Sequence, residues 1–153
     1  MQRSDDAPLV KATVPMGYRI NATLAQAEPY GYALLRVVAG TLFFFHGAQK
    51  ILGWVTEKAL PVVGSQAWIG GVLEMVGGAL IALGLFTRPA AFITSGMMAV
   101  AYTQFHWKLS FDNWEWLPIV NKGELAVVYC FLFLYVTLRG SGIWALDGLI
   151  RRR

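Results

Sequence analysis

Charge is scarce in this chain. Asp, Glu, Lys and Arg make up 14% of 153 residues, against about 25% in an average soluble domain, and so thin a polar supply cannot coat a water-soluble globule that also hides this much hydrocarbon. A soluble enzyme, a disordered tail and a secreted disulfide scaffold are therefore excluded. Cysteine is scarcer still. Cys130 stands alone, which rules out an intrachain disulfide, an iron–sulfur cluster held by this chain by itself and a c-type haem attachment motif. A Gly-rich phosphate loop, a nucleophile elbow and a dinucleotide fingerprint are also missing. Residues 1–29, divided by Pro8, Pro15 and Pro29, contain no run of seven apolar residues that could form a signal-peptide core, so this segment is expected to be retained.

What is abundant is apolar surface: 56% of the chain, with a mean hydropathy of +0.50. From Gly31 onward it falls into four stretches, about 31–52, 67–86, 89–107 and 121–138. About 20 residues at ~1.5 Å each cross ~30 Å of hydrocarbon, and lipid offers backbone groups no partners, so each stretch is expected to be a membrane-crossing α-helix. The expected fold is all-α, a four-transmembrane-helix bundle running up-down-up-down. It divides into a polar N-terminal tail (1–30), a membrane domain (31–150) and a basic C-terminal segment (139–153). Ser65 before the second stretch and Asn121 before the fourth are candidate N-caps, Asn121 and Glu124 having capping-box spacing. Phe86-Thr87-Arg88-Pro89 reads as a tight turn with Pro89 tolerated in the next helix's first turn.

The net charge of +4 does not point to nucleic acid, because the basic residues lie between or at the ends of apolar runs. Arg3, Lys11, Arg19, Arg88, Arg139, Arg151, Arg152 and Arg153 share the side with both termini. Lys50, Lys58, Lys108 and Lys122 lie on the other, and Arg36 falls inside the first helix. The positive-inside rule then makes both termini cytoplasmic, in a multi-pass protein of the cell inner membrane. Trp54, Trp68, Trp107 and Trp116 all fall on the outer side, as an aromatic belt would.

Arg36, His46, Gln49, Lys50, Glu74, Gln104, His106 and Glu124 fall within or at the ends of the apolar stretches, where ionisable groups face the bundle interior and pair. His46 and Glu74 lie at comparable depth, ~12 Å and ~9 Å from the outer Trp level by helical rise, and His46 and Lys50 share a face at i,i+4. Gly70, Gly71, Gly77 and Gly78 surround Glu74 at i±3 and i±4, so another helix can approach closely. A carboxylate buried there without a cation would be protonated; beside Lys50 or a protonated His46 it would stay ionised. Either state suits proton exchange. Glu74 and His46 are thus the candidate catalytic pair, with Lys50, Arg36, Gln49, His106 and Glu124 as candidate substrate or quinone contacts. Structural readings stand beside these: an interhelical ion pair for Glu74, polar packing for His46, a cap for Glu124, an interfacial position for His106, snorkelling for Arg36 and Lys50. A haem between His46 and His106 is opposed by a depth mismatch of ~9 Å. A metal site has no spacing motif, and none is expected. Nor is there an inverted repeat suggestive of a transporter.

Leu35-Arg36 with Gly40, Phe45-His46-Gly47 and Lys50 with Gly53-Trp54, Ile69-Gly70-Gly71 through Glu74 to Gly77-Gly78, Leu83-Gly84-Leu85-Phe86-Thr87-Arg88-Pro89-Ala90, Asn121-Lys122-Gly123-Glu124 and Trp144-Ala145-Leu146-Asp147 together resemble the DoxX family of small four-helix membrane proteins, over about 31–150. That family includes the DoxD-type subunit of thiosulfate:quinone oxidoreductase. The resemblance implies a membrane subunit associated with a quinone-linked redox system, with quinone as a candidate ligand, no covalent cofactor, and lipid around it. A non-catalytic structural or assembly subunit is the alternative. The N-terminal extension departs from the compact family pattern and suggests docking to a larger membrane protein complex.

Overall fold

The computed structural model describes residues 16–150, with side chains from Asn21 onward; Arg3, Lys11 and Arg151–Arg153 of the charge count lie outside these, as does the side chain of Arg19. The described residues are all-helical. Four long helices, α1 (Met16–Leu52), α2 (Gln66–Leu83), α3 (Thr87–Ala101) and α5 (Glu124–Arg139), are joined by loops carrying two short ones, α4 (Pro118–Asn121) and, after α5, α6 (Asp147–Ile150). By length and composition, α1 from Asn21 and α2 are long and apolar enough to cross a membrane.

Neighbouring helices run antiparallel. Gly40 of α1 meets Gly78 and Ala82 of α2 while Gly47 meets Gly71 and Met75. Ser95 of α3 bonds the Cys130 carbonyl of α5 at 2.8 Å, and Arg88 at the start of α3 reaches the Thr137 and Leu138 carbonyls at the end of α5. The core is aromatic and small: Phe43 packs on Tyr129 and Phe133 at ring separations of 5.0 and 4.8 Å, with Ile81, Ala91 and Val136 fully buried around them. Leu34, Val38, Leu42, Val76, Phe92, Val128, Phe131 and Leu138 face outward exposed, far more apolar surface than a soluble monomer leaves bare.

Three expectations about boundaries are corrected. The first helix begins at Met16, not 31, with Pro29 inside it. Ala22, Leu24, Ala25, Gln26, Ala27 and Glu28 are strong helix formers, and residues 21–28 are exposed, so water can take the carbonyl that Pro29 leaves unpaired. At ~1.5 Å per residue α1 is about 55 Å long against about 27 Å for α2, so its N-terminal part extends past its neighbours. The third helix leaves α geometry at Ala101 and continues as a π-helical segment, Tyr102–Trp107. The capping box does not form: Asn121 closes α4, Lys122 turns left-handed at φ 59°, and Gly123 precedes α5, so the Asn121 side chain accepts from the Gly123 N–H at 2.8 Å instead. Ser65 does cap α2, accepting from the Trp68 N–H at 3.2 Å.

The opposite end is sealed by one charged network. Gly84, left-handed at φ 69°, ends α2 with Gly84 N–H to Ile81 and Leu85 N–H to Leu80, a Schellman ending. Fully buried Arg36 donates to the Ile81 and Ala82 carbonyls at 2.6 and 2.7 Å and to the Trp144 carbonyl at 2.7 Å. Asp147 accepts from the Phe86 and Thr87 N–H groups at 2.8 and 3.0 Å and from the Thr87 hydroxyl, serving as the cap that α3 lacks in its own sequence.

Candidate functional site

At the end where α1 and α3 finish and α2 and α5 begin, the four long helices part around a cavity of about 690 Å³. α1 supplies Phe43, His46 and Lys50; α2 supplies Ile69, Gly70, Leu73 and Glu74; α3 supplies Ile93, Met97, Met98 and Val100; Phe105 and His106 come from the π-helical segment, Lys122 from the turn, and Tyr129 from α5. Its walls are predominantly hydrocarbon. It opens sideways between α2 and α3, because Ile69, Ile93 and Val100 line it while remaining 49%, 53% and 45% exposed. Gln66 donates to Gln104 beside that mouth.

The polar groups sit at named places in this lining. Glu74 is 5% exposed and its Oε1 accepts from Lys50 Nζ at 2.6 Å. Its Oε2 is buried and has no hydrogen-bond partner among the described residues. Buried acceptors left open are uncommon and costly. The glycines around Glu74 divide the work of placing it. Gly71 and Gly78 admit α1, Gly77 admits Thr94 of α3, and a Cβ at Gly70 would meet nothing within 4 Å, since it faces the open cavity.

His46 lines the same cavity, edge-on to Tyr129 with ring centroids 6.3 Å apart, but Glu74 bonds Lys50 rather than His46. Helical rise predicted that the acid and the imidazole could meet; both line one cavity, and the carboxylate pairs with Lys50, one turn further along α1. His106 stacks on Tyr102, and its Nδ1 lies 3.2 Å from the Asn121 carbonyl oxygen. A carbonyl only accepts, so Nδ1 carries the proton and a neutral ring leaves Nε2 as an acceptor.

The other expected contacts lie elsewhere. Arg36 is spent on the carbonyls at the opposite end, so its assignment as a ligand contact is corrected. Gln49 is half-buried outside the cavity lining, and Glu124 is exposed at the first position of α5. Two lining residues were not among the candidate contacts drawn from the sequence. Tyr129 is buried, lines the cavity and lies near enough to Glu74 to interact with it electrostatically; nothing but its hydroxyl distinguishes it within an apolar run. Lys122 places a second amine in the lining. Among the described residues no group of three or more His, Cys, Asp or Glu could hold a metal ion.

Comparison with known proteins places this architecture. The family model for DoxX matches residues 31–107, which run from Gly31 in α1 through the π-helical segment and include His46, Lys50, Glu74 and His106. An uncharacterized protein of Haemophilus influenzae is 41% identical over 131 residues, covering 81% of this chain and 93% of that one. A Bacillus subtilis protein bearing the name putative oxidoreductase CatD is 27% identical over 126 residues, covering 78% and 87%. No solved structure matches. The extent of these matches, together with the helical architecture, establishes that the chain belongs to the DoxX family.

Proposed function

We propose that the chain is a four-crossing membrane bundle, both termini on the cytoplasmic side of the inner membrane, that binds a quinone in the cavity beside Glu74 as part of a redox system. One observation carries the reading. A buried carboxylate, held by Lys50 through one oxygen, stands at the polar part of an otherwise apolar cavity whose mouth faces sideways, toward what would be acyl chains. The lining fits such a ligand: about 690 Å³ lies within the ~300–1,000 Å³ of small-molecule sites, hydrocarbon walls suit an isoprenoid tail, and His46, Tyr129 and Glu74 suit a polar ring. The ligand supplies two-electron, two-proton carrier chemistry. The chain's part is to orient the ring, exclude water and hold or pass protons at Glu74 and His46. The oxidoreductase name of the Bacillus subtilis relative supports the redox class.

Gly70→Leu tests the site. Its added side chain enters open space rather than a packed interface, so the thermal midpoint in detergent should stay within a few degrees of wild type. Binding of a short-chain quinone to the purified protein should fall at least about tenfold, since the leucine occupies the ligand's volume. Undiminished binding in a folded Gly70→Leu protein would place the ligand elsewhere.

The electron donor or acceptor is, on this reading, another subunit, docked on the exposed N-terminal part of α1 (residues 21–28). Deleting residues 1–29 should then release the chain from subunits that co-purify with it. Full retention of those subunits by the shortened chain would remove this segment as the docking element.

A further inference from the structure

The polar part of the cavity carries positive charge that no acid answers. Glu74 is the one carboxylate among the described lining residues, and Lys50 neutralises it through Oε1. That bond uses one of the three donors on Nζ, and with the Lys50 side chain 41% exposed the others remain available. Lys122 adds a second ammonium to the lining. It makes no ion pair among the described residues, and Glu124, two residues on, is exposed and outside the lining. His46 brings a ring N–H in either neutral tautomer.

The turn that carries Lys122 is braced. The Asn121 side-chain oxygen accepts from the Gly123 N–H at 2.8 Å, its amide nitrogen donates to the Glu115 carbonyl at 2.7 Å, and its backbone carbonyl accepts from His106 at 3.2 Å. A Cβ at Gly123 would fall 2.7 Å from the Tyr102 ring, so the turn lies against that ring. The backbone on both sides of Lys122 is fixed, which lowers the ordering cost of using its ammonium.

Resting on the reading of this cavity as a quinone site, we propose that its preferred ligand is a hydroxyquinone bound as the ring anion, with Lys122 as the residue that selects the charge. A hydroxyl on a quinone ring is a vinylogous carboxylic acid: it is ionised at neutral pH, and its charge spreads onto the conjugated carbonyl oxygen. Such an anion meets the Lys122 ammonium and the remaining Lys50 N–H groups through hydrogen bonds charged on both sides, stronger than those a neutral carbonyl accepts. A neutral quinone is also accepted by these donors, but it leaves the charge of Lys122 to water alone. Beside hydrocarbon walls that difference is larger than it would be in water. An anionic lipid headgroup offers the same charge. The ring is favoured because the lining is aromatic at this depth, Tyr129 lying 5.0 Å from Phe43 and 6.3 Å from His46 between ring centroids, and a planar ring packs against such neighbours.

The test uses the full chain in mild detergent at neutral pH, with calorimetry as readout. It is titrated by a naphthoquinone carrying one isoprenoid unit and a ring hydroxyl, by the same compound with a methyl group of nearly equal size in place of the hydroxyl, and by a short-chain phosphatidylglycerol. The hydroxyquinone should bind about tenfold or more tightly than either of the others. Lys122→Gln, at an exposed position, should weaken the hydroxyquinone about fivefold and leave the methyl compound within about twofold of wild type. Lys108→Gln, an equal loss of charge at an exposed residue outside the lining, should change neither. Equal binding of the two quinones by wild type would overturn the selection of the anion, and a preference undiminished in Lys122→Gln or equally lost in Lys108→Gln would overturn the role of Lys122, each leaving the cavity a quinone site. A phosphatidylglycerol as tight as the hydroxyquinone would assign the charge to a lipid headgroup and overturn the choice of the ring. Binding of neither quinone would overturn the cavity reading itself and this inference with it.

Discussion

Gly78→Val should leave little folded protein. A Cβ at Gly78 would lie 2.4 Å from the Phe44 backbone nitrogen and 2.7 Å from the Gly40 carbonyl oxygen. No side chain can rotate away to make room, because the obstacle is the α1 backbone, so α1 and α2 must separate along the interface that also positions Glu74. Overpacking a core that can partly adjust costs about 1–3 kcal/mol, and a contact of backbone against backbone should exceed about 3 kcal/mol. That is a large share of a domain's total stability of about 5–15 kcal/mol. The same approach recurs along the interface. A Cβ at Gly47 would fall 2.3 Å from the Met75 nitrogen, and one at Gly40 2.5 Å from the Ala82 nitrogen, which is the close packing that small residues permit between helices in lipid. Yield of monodisperse protein and the thermal midpoint in detergent report the loss. Gly70→Leu, on the same helix but facing open space, is the internal control. A Gly78→Val protein as stable as Gly70→Leu would show that the two helices do not meet in this register.

Arg36→Met should cost nearly as much by a different mechanism. The guanidinium is fully buried and supplies donors to carbonyls from two separate parts of the chain, Ile81 and Ala82 at the end of α2 and Ile143 and Trp144 after α5. Methionine restores much of the volume and none of the donors. Stranding several buried acceptors together should destabilise by about 3–5 kcal/mol, the range for removing one side of a buried charged pair. Arg36→Lys should recover only part of it, since a single ammonium cannot span two pairs of carbonyls as the planar fork does. The segment that carries Asp147 should loosen in both variants, and protease sensitivity after residue 140 would reveal it. Quinone binding at the far end, measured on whatever fraction remains folded, should be unaffected. Loss of binding without loss of stability would restore Arg36 to the site.

The parts of this architecture that were legible in the sequence are those written in side chains along one helix. Ser65 announces the start of α2, and of the four glycines at i±3 and i±4 three, Gly71, Gly77 and Gly78, do mark Glu74 as sitting at a close interface, while Gly70 faces the cavity. Helical rise alone put His46, Lys50 and Glu74 at one end. What was not legible depends on partners without a side-chain signature. Arg36 is claimed by backbone carbonyls, which every residue possesses, so nothing in the sequence distinguished a structural clamp from a ligand contact. Tyr129 carries no charge and sits in an apolar run, so a search for ionisable groups passes over it. Asn121 and Glu124 have capping-box spacing, yet Pro118 starts a turn of its own that uses Asn121 as its last residue, and a local motif cannot register that competition. The early start of α1 reflects propensity prevailing over an interior proline where the freed carbonyl is exposed.

The most direct measurement is the identity of what the protein carries out of its own membrane. Native mass spectrometry of wild type and Gly70→Leu, released from lipid nanodiscs without prior detergent washing, should find an isoprenoid quinone or quinol on the wild-type chain and none on the variant. Ordinary phospholipid alone on the wild-type chain, or equal retention of the quinone species by both, would contradict a ligand seated beside Glu74.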